Sequence, residues 1–366
     1  MNFLPNLTNP SNVSDPLHLE SHPVVGCPDT TTFGIFGTSP ESPDGKRICY
    51  TKFLHTPQAK QKAPIPGELW VCNRDLTHHR MLTPFEIKPV HNASRASWIE
   101  NDRIAFSEHD QITVIDTNTG ERIFDPIQGD LGHSARSDRL LFWSGNRNEN
   151  GAVEEQDLET GICRTLVTAT QIRACVESFT RESIPPFSVK HLQYNLDGSR
   201  IGFRLHGPRT DMLTMNGAGD DLQVYPAQKP VHQLWYDNDT VMGVWKRTES
   251  EGQDSHYFRW NFEGEVLESL AGRISHGAAS ADRAWYAGES CEYFSSPIRM
   301  SLYSHGETSP TAVCFDHSHE HITSNLRYHV NPAFSRDGRR LYFSQAVSNQ
   351  KVEARFSDLS SLFPNG

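Results

Sequence analysis

The chain has 366 residues, with 45 Asp and Glu against 34 Lys and Arg, a formal net charge of −11. That acidic balance, with no basic block, argues against a nucleic-acid footprint. No apolar run is long enough to span a bilayer. The N-terminus, Met1-Asn-Phe-Leu-Pro-Asn-Leu-Thr8, lacks the basic and apolar regions of a secretory leader, so a cytoplasmic protein is expected.

Residues 1–30 are polar and rich in Pro and Asn. They read as an extended lead-in that lends an outer strand to the rest of the chain. From residue 31 to 366 one unit recurs: a short strand, a turn carrying Asp, Asn or Gly, and an apolar second strand. The copies are Ser42-Pro-Asp-Gly-Lys-Arg-Ile-Cys-Tyr50, Asn101-Asp-Arg-Ile-Ala-Phe106, Ser137-Asp-Arg-Leu-Leu-Phe142 and Asp197-Gly-Ser-Arg-Ile-Gly-Phe203. Three more complete the set: Asp237-Asn-Asp-Thr-Val-Met-Gly-Val244, Ala281-Asp-Arg-Ala-Trp-Tyr286 and Asp337-Gly-Arg-Arg-Leu-Tyr-Phe343. Most copies lead into a second hairpin, as in Gln156-Asp-Leu-Glu-Thr-Gly-Ile-Cys-Arg-Thr-Leu166. Two hairpins per unit, seven times over, predict an all-β, seven-bladed β-propeller forming a single domain.

Blade one is expected from Thr31 to Leu82, blade two from His91 to about Asp125, and blade three from His133 to Leu166. A longer connection, Thr168 to Phe187, holds a short helix or strand at residues 170–177 and stops at Pro185-Pro186. Blades four to seven start at His191, His232, His276 and His329. Six units thus carry a His where the chain enters the innermost strand: His91, His133, His191, His232, His276 and His329. Six imidazoles round one mouth of the channel suit metal binding or proton transfer; the alternative, for any single one, is a His that caps its strand by hydrogen bonds. The seven cysteines, at 27, 49, 72, 163, 175, 291 and 314, include no CxxC pair. Cys49 and Cys72 fall in strands and read as small core residues in a reducing compartment.

Two groups of residues could do chemistry. His191, Arg204, His206, Arg209 and His232 come from blade four and the entry to blade five. An Arg fork holds a carboxylate, and an imidazole titrating near 7 moves a proton, which together match proton abstraction next to a carboxylate. The alternative is a surface cluster that pairs with the plentiful Asp and Glu. Blades six and seven carry His276, Cys291, Cys314, His317, His319, His321, His329 and Asn331, several of them metal-ligand types in a spacing unlike a zinc finger.

At these residues the chain resembles the oligogalacturonate lyases and, more loosely, ulvan lyase propellers. The resemblance is carried by His206-Gly-Pro208, Met212-Leu-Thr-Met-Asn216, His232-Gln-Leu-Trp235, Ser275-His276, His317-Ser318 and His329-Val-Asn-Pro-Ala-Phe-Ser335. It implies a seven-bladed propeller that cleaves acidic oligosaccharides by β-elimination, assisted by a divalent cation, typically manganese. It makes His232 the proton-abstracting residue and His276 and His329 metal ligands. Asn331 stands where the family has a further His, Leu326 where it has a Gln, and Asp211 near its catalytic Arg, so Arg204 or Arg209 would replace that Arg. Phe187 falls near the Tyr used by the ulvan branch. Cys291 or His317 could complete an altered site, one that selects zinc.

The expected function is therefore a lyase acting on uronic-acid-containing oligo- or polysaccharides. His191 or His91 would assist at the leaving oxygen. The acidic oligosaccharide is the expected partner, nucleic acid and membrane are not, and the protein is a monomer or dimer. The alternative is a non-catalytic propeller that binds carbohydrate or protein through the same mouth.

Overall fold

The computed structural model describes residues 15–34, 37–54, 65–87, 95–133, 138–145, 150–207, 210–226, 231–246, 255–271, 274–290, 299–317, 329–348 and 350–363. Seven antiparallel sheets form the blades of a ring. Blade one is Thr30–Thr32, Arg47–Phe53, Ile65–Asn73 and Arg80–Ile87. Blade four is Ser188–Tyr194, Arg200–His206, Met212–Asn216 and Gln223–Val224. Among the described residues, no helix is long and apolar enough to cross a membrane.

The second strand of each blade explains the apolar runs. Leu140, Leu141, Phe142 and Trp143 are all buried. Successive side chains of a strand point to opposite faces, and here both faces are covered. Leu140 and Phe142 pack toward blade two with Ile99, Ala105 and Ile112. Leu141 and Trp143 pack toward blade four with Val189, Ile201 and Phe203. Blade seven repeats this: Leu341 and Phe343 face blade six, and Tyr342 faces blade one. The core is thus a series of wedges between blades.

Three of the turns that repeat in the sequence share one hydrogen-bond device. Ser42, Ser280 and Ser335 donate their hydroxyls to Asp44, Asp282 and Asp337, at 2.6, 2.5 and 2.7 Å. Each of these carboxylates also receives a backbone N–H two residues on, as Lys46, Ala284 and Arg339. Gly45, Gly198 and Gly338 take a left-handed φ of 68°, 75° and 71°, conformations an L side chain resists. Arg283 takes the same place in blade six at φ 61°.

The N-terminal segment enters the ring at two points. Ser21–Pro23 pairs antiparallel with the outer strand of blade seven, Lys351–Asp358, Ser21 lying opposite Ser357. Leu17–His18 adds a parallel fifth strand to blade six, Leu17 opposite Ala312. The chain's start thus covers the edges of its last blades, which removes unpaired backbone groups. The connection after blade three is a helix, Ala169–Thr180. Thr168 and Gln171 form a capping box at its start, and its apolar face, Ile172 and Val176, packs on blade four.

Candidate functional site

Arg95, His191, His232 and Asn331 adopt left-handed φ angles of 52°, 54°, 53° and 48°. Such angles are uncommon outside glycine, with His and Asn among the residues that tolerate them. At His191 and His232 the cause is visible. The ladder shifts register between Lys190 and Gln193, and again between Val231 and Leu234. The resulting bulge re-aims one side chain per strand. The rings converge accordingly. His191 and His232 lie 6.1 Å apart between centroids, His232 and His276 are stacked at 3.9 Å, and His276 and His329 lie 4.2 Å apart.

The six-histidine ring expected from spacing is therefore modified. Arg95 takes the left-handed position at the entry to blade two, and His91 lies outside the described residues. In blade three the innermost strand is Asp130–Leu131, so Asp130, not His133, stands at the mouth. His133 lies further in, its backbone N–H donated to Leu192 O at 2.6 Å. Gly37 covers it so closely, at φ 80°, that a Cβ there would stand 3.1 Å from His133 Nδ1 and 2.5 Å from Leu234 Cδ2. Burial pushes the His133 pKa down to about 3, helped by Arg95.

Blades six and seven bring together His276, Glu289 and His329, each offering one ligand atom within 4.8 Å of the others. Glu289 lies beside His276 in the ladder and accepts a hydrogen bond from its Nδ1. His329 Nδ1 stands 3.6 Å from the same oxygen, and Val330 N donates to the other at 2.9 Å. Burial alone would push the Glu289 carboxyl up. His276 and His329 outweigh it and hold the group below the usual carboxylate range. Two imidazoles and a carboxylate are a donor set suited to a transition-metal ion. Asn331 Oδ1 is buried without a partner among the described residues, while its Nδ2 donates to Gly34 O at 3.2 Å. The donors present thus fit a divalent cation.

His232 Nδ1 stands 2.9 Å from the Ser275 carbonyl oxygen. A carbonyl only accepts, so Nδ1 carries the proton and Nε2 is the basic nitrogen of the neutral ring. Burial, with His276 alongside, pushes the His232 pKa well below 6.5, and the Ser275 carbonyl opposes this in part. His191 is pushed down likewise by burial and by His232, His133, Arg204 and Arg95. Both imidazoles are therefore held neutral, lower than the titration near 7 that their sequence context suggested.

The structure brings His191, His232 and Arg204 into one neighbourhood. Arg204 stands opposite Lys190 in the ladder and donates Nε to Thr210 O at 3.3 Å. His206 is exposed at the end of the same strand. His317 is buried and lies 4.9 Å from Phe315 between ring centroids, outside the His276–Glu289–His329 group. Arg209, Cys291 and Leu326 lie outside the described residues. Phe187 is a core residue near Trp143. Sequence reasoning missed Glu289, Arg95, Asp130 and Lys190. The signal for Glu289 was a lone acid at the end of the buried strand Trp285-Tyr-Ala-Gly-Glu-Ser290.

No family model and no curated protein matches this chain. Solved structures do. An oligogalacturonate lyase in complex with manganese superposes with a TM-score of 0.65 at 14% identity, over 95% of this chain and 98% of that one. An oligogalacturonate lyase from Vibrio parahaemolyticus gives 0.67 at 15% identity, over 93% of each chain. The Dos1 propeller gives 0.52 at 10% identity, over 94% and 95%. The chain shares the seven-bladed propeller of the oligogalacturonate lyases.

Proposed function

We propose that this protein is a lyase that cleaves uronic-acid-containing oligo- or polysaccharides by β-elimination at the axial mouth. The observation that carries this is the setting of His232. Its Nδ1–H is held by Ser275 O, which leaves Nε2 as the base, and its ring stacks on His276 of the His276–Glu289–His329 group.

β-Elimination needs a base for the proton next to the carboxylate, positive charge facing that carboxylate, and a proton for the departing oxygen. His232 Nε2 takes the proton. His276, Glu289 and His329 would hold a divalent cation, manganese or zinc, which when bound supplies Lewis-acid polarisation of the carboxylate. Arg204 adds positive charge on the blade-four side and orients the acidic sugar. His191, next to His232 and itself neutral, relays the proton that His232 takes from the sugar back to the leaving oxygen. The propeller likeness to lyases, one of them solved with manganese, supports this reading.

A second reading, a propeller that binds acidic sugar without turning it over, is favoured by Asp211, a buried acid near where the lyases carry their catalytic Arg. One experiment separates the two. Incubation with pectic, ulvan and glycosaminoglycan oligomers, with and without chelator, should raise the ultraviolet absorbance of an unsaturated uronate. No product from any of these, with metal supplied, refutes the lyase reading.

A further inference from the structure

We propose that Arg95 and Lys190, flanked by Arg204, form a second anion subsite at the mouth, and that Asp130 occupies it in the free protein as a stand-in for a carboxylate of the substrate. This rests on the lyase reading and deepens it. The substrate then carries acid groups on neighbouring sugars, as a run of contiguous uronates does.

Three blades contribute. Arg95 sits at the left-handed entry to blade two, Asp130 on the innermost strand of blade three, and Lys190 on that of blade four, one residue before His191. Arg95 Nη1 donates to Asp130 Oδ1, and Lys190 Nζ to Asp130 Oδ2. One carboxylate thus bridges two cations, and the trio keeps a charge of +1. The side chains of Arg95, Asp130 and Lys190 are 18%, 24% and 33% exposed, so the group opens to solvent. A guanidinium fork and an ammonium converging on one carboxylate is the arrangement that would hold a ligand carboxylate. Two ring steps, 6.1 and 3.9 Å, lead from His191 past His232 to His276. The subsite and the His276–Glu289–His329 group therefore flank the proposed base on opposite sides. A substrate with one acid group on each side would be held across His232.

The test is calorimetric binding of galacturonate monomer, dimer and trimer, of the corresponding neutral galactose oligomers, and of a sulfated ulvan oligomer, with turnover followed in parallel. Lys190→Ala should weaken dimer and trimer binding about 10-fold while leaving the monomer unchanged, and Lys190→Arg should restore most of the loss. Asp130→Asn should tighten dimer binding several-fold, because it removes the resident competitor. A mere inter-blade clamp predicts the opposite sign. If Asp130→Asn fails to fold, the Lys190 pair decides alone. Tighter binding of the sulfated oligomer than of the galacturonate dimer would assign the subsite to sulfate and overturn the contiguous-uronate reading. Equal losses for monomer and dimer in Lys190→Ala, or weaker dimer binding by a folded Asp130→Asn, would overturn the subsite. Product formation with an unchanged KM in Lys190→Ala would overturn the subsite alone and leave the lyase reading standing. Absence of both binding and product in the wild type would overturn both.

Discussion

Replacing Glu289 by Gln probes the mouth most directly. The carboxylate accepts from His276 Nδ1 and, at 2.9 Å, from Val330 N. The amide can still accept one of these, so metal-free stability should change by only about 1 kcal/mol. Glu289→Ala leaves both buried donors unmet and should cost about 2–5 kcal/mol. Metal binding separates further. A cation supplied at a hundred times its dissociation constant stabilises the fold by about 2.7 kcal/mol. If loss of the anionic ligand weakens binding about 100-fold, the same concentration adds only about 0.4 kcal/mol. Thermal or denaturant unfolding of metal-stripped protein, with manganese and zinc titrated back, reads this difference. Glu289→Gln with the full wild-type increment would refute the assignment of Glu289 as a ligand. No increment in the wild type would refute the site.

His232→Gln should lower turnover by about 10²–10⁴-fold, the range for loss of a general base, while calorimetry still detects oligosaccharide binding; retained turnover would remove His232 from the chemistry. Deleting residues 1–24 removes the Ser21–Pro23 pairing and the bond from Arg355 Nε to Ser21 Oγ at 3.1 Å, and should destabilise the fold by about 3 kcal/mol or more, seen as a lower unfolding midpoint. His133, held neutral with a pKa near 3 against 6.5 unfolded, makes the unfolded state bind the extra proton between those values. Its contribution is therefore full above pH 6.5 and is lost as pH falls, at about 1.4 kcal/mol per pH unit. His133→Asn should flatten that part of the stability profile, and an unchanged slope would contradict it.

The blades could be read from the chain because each rests on neighbours in sequence. Ser335, Asp337 and Gly338 make one turn from their own side chains and backbone, and the alternation along Leu341-Tyr-Phe343 serves two adjacent wedges. The histidines of blades four to seven were visible as a repeated position for the same reason. What the spacing could not convey was depth. Among the described residues, the innermost strand of blade three shows no register shift like those at His191 and His232; its His133 falls below the mouth and Asp130 comes to the rim.

The sequence by itself determined the number of blades, their turns and the apolar wedges, since turn chemistry and strand alternation act over a few residues. Only the closed ring decided which polar groups meet. Glu289 reaches His329 across 40 positions, and Asp130 reaches Arg95 and Lys190 across 35 and 60. Such contacts depend on bulges and on the curvature of the whole sheet ring, and no local pattern encodes them.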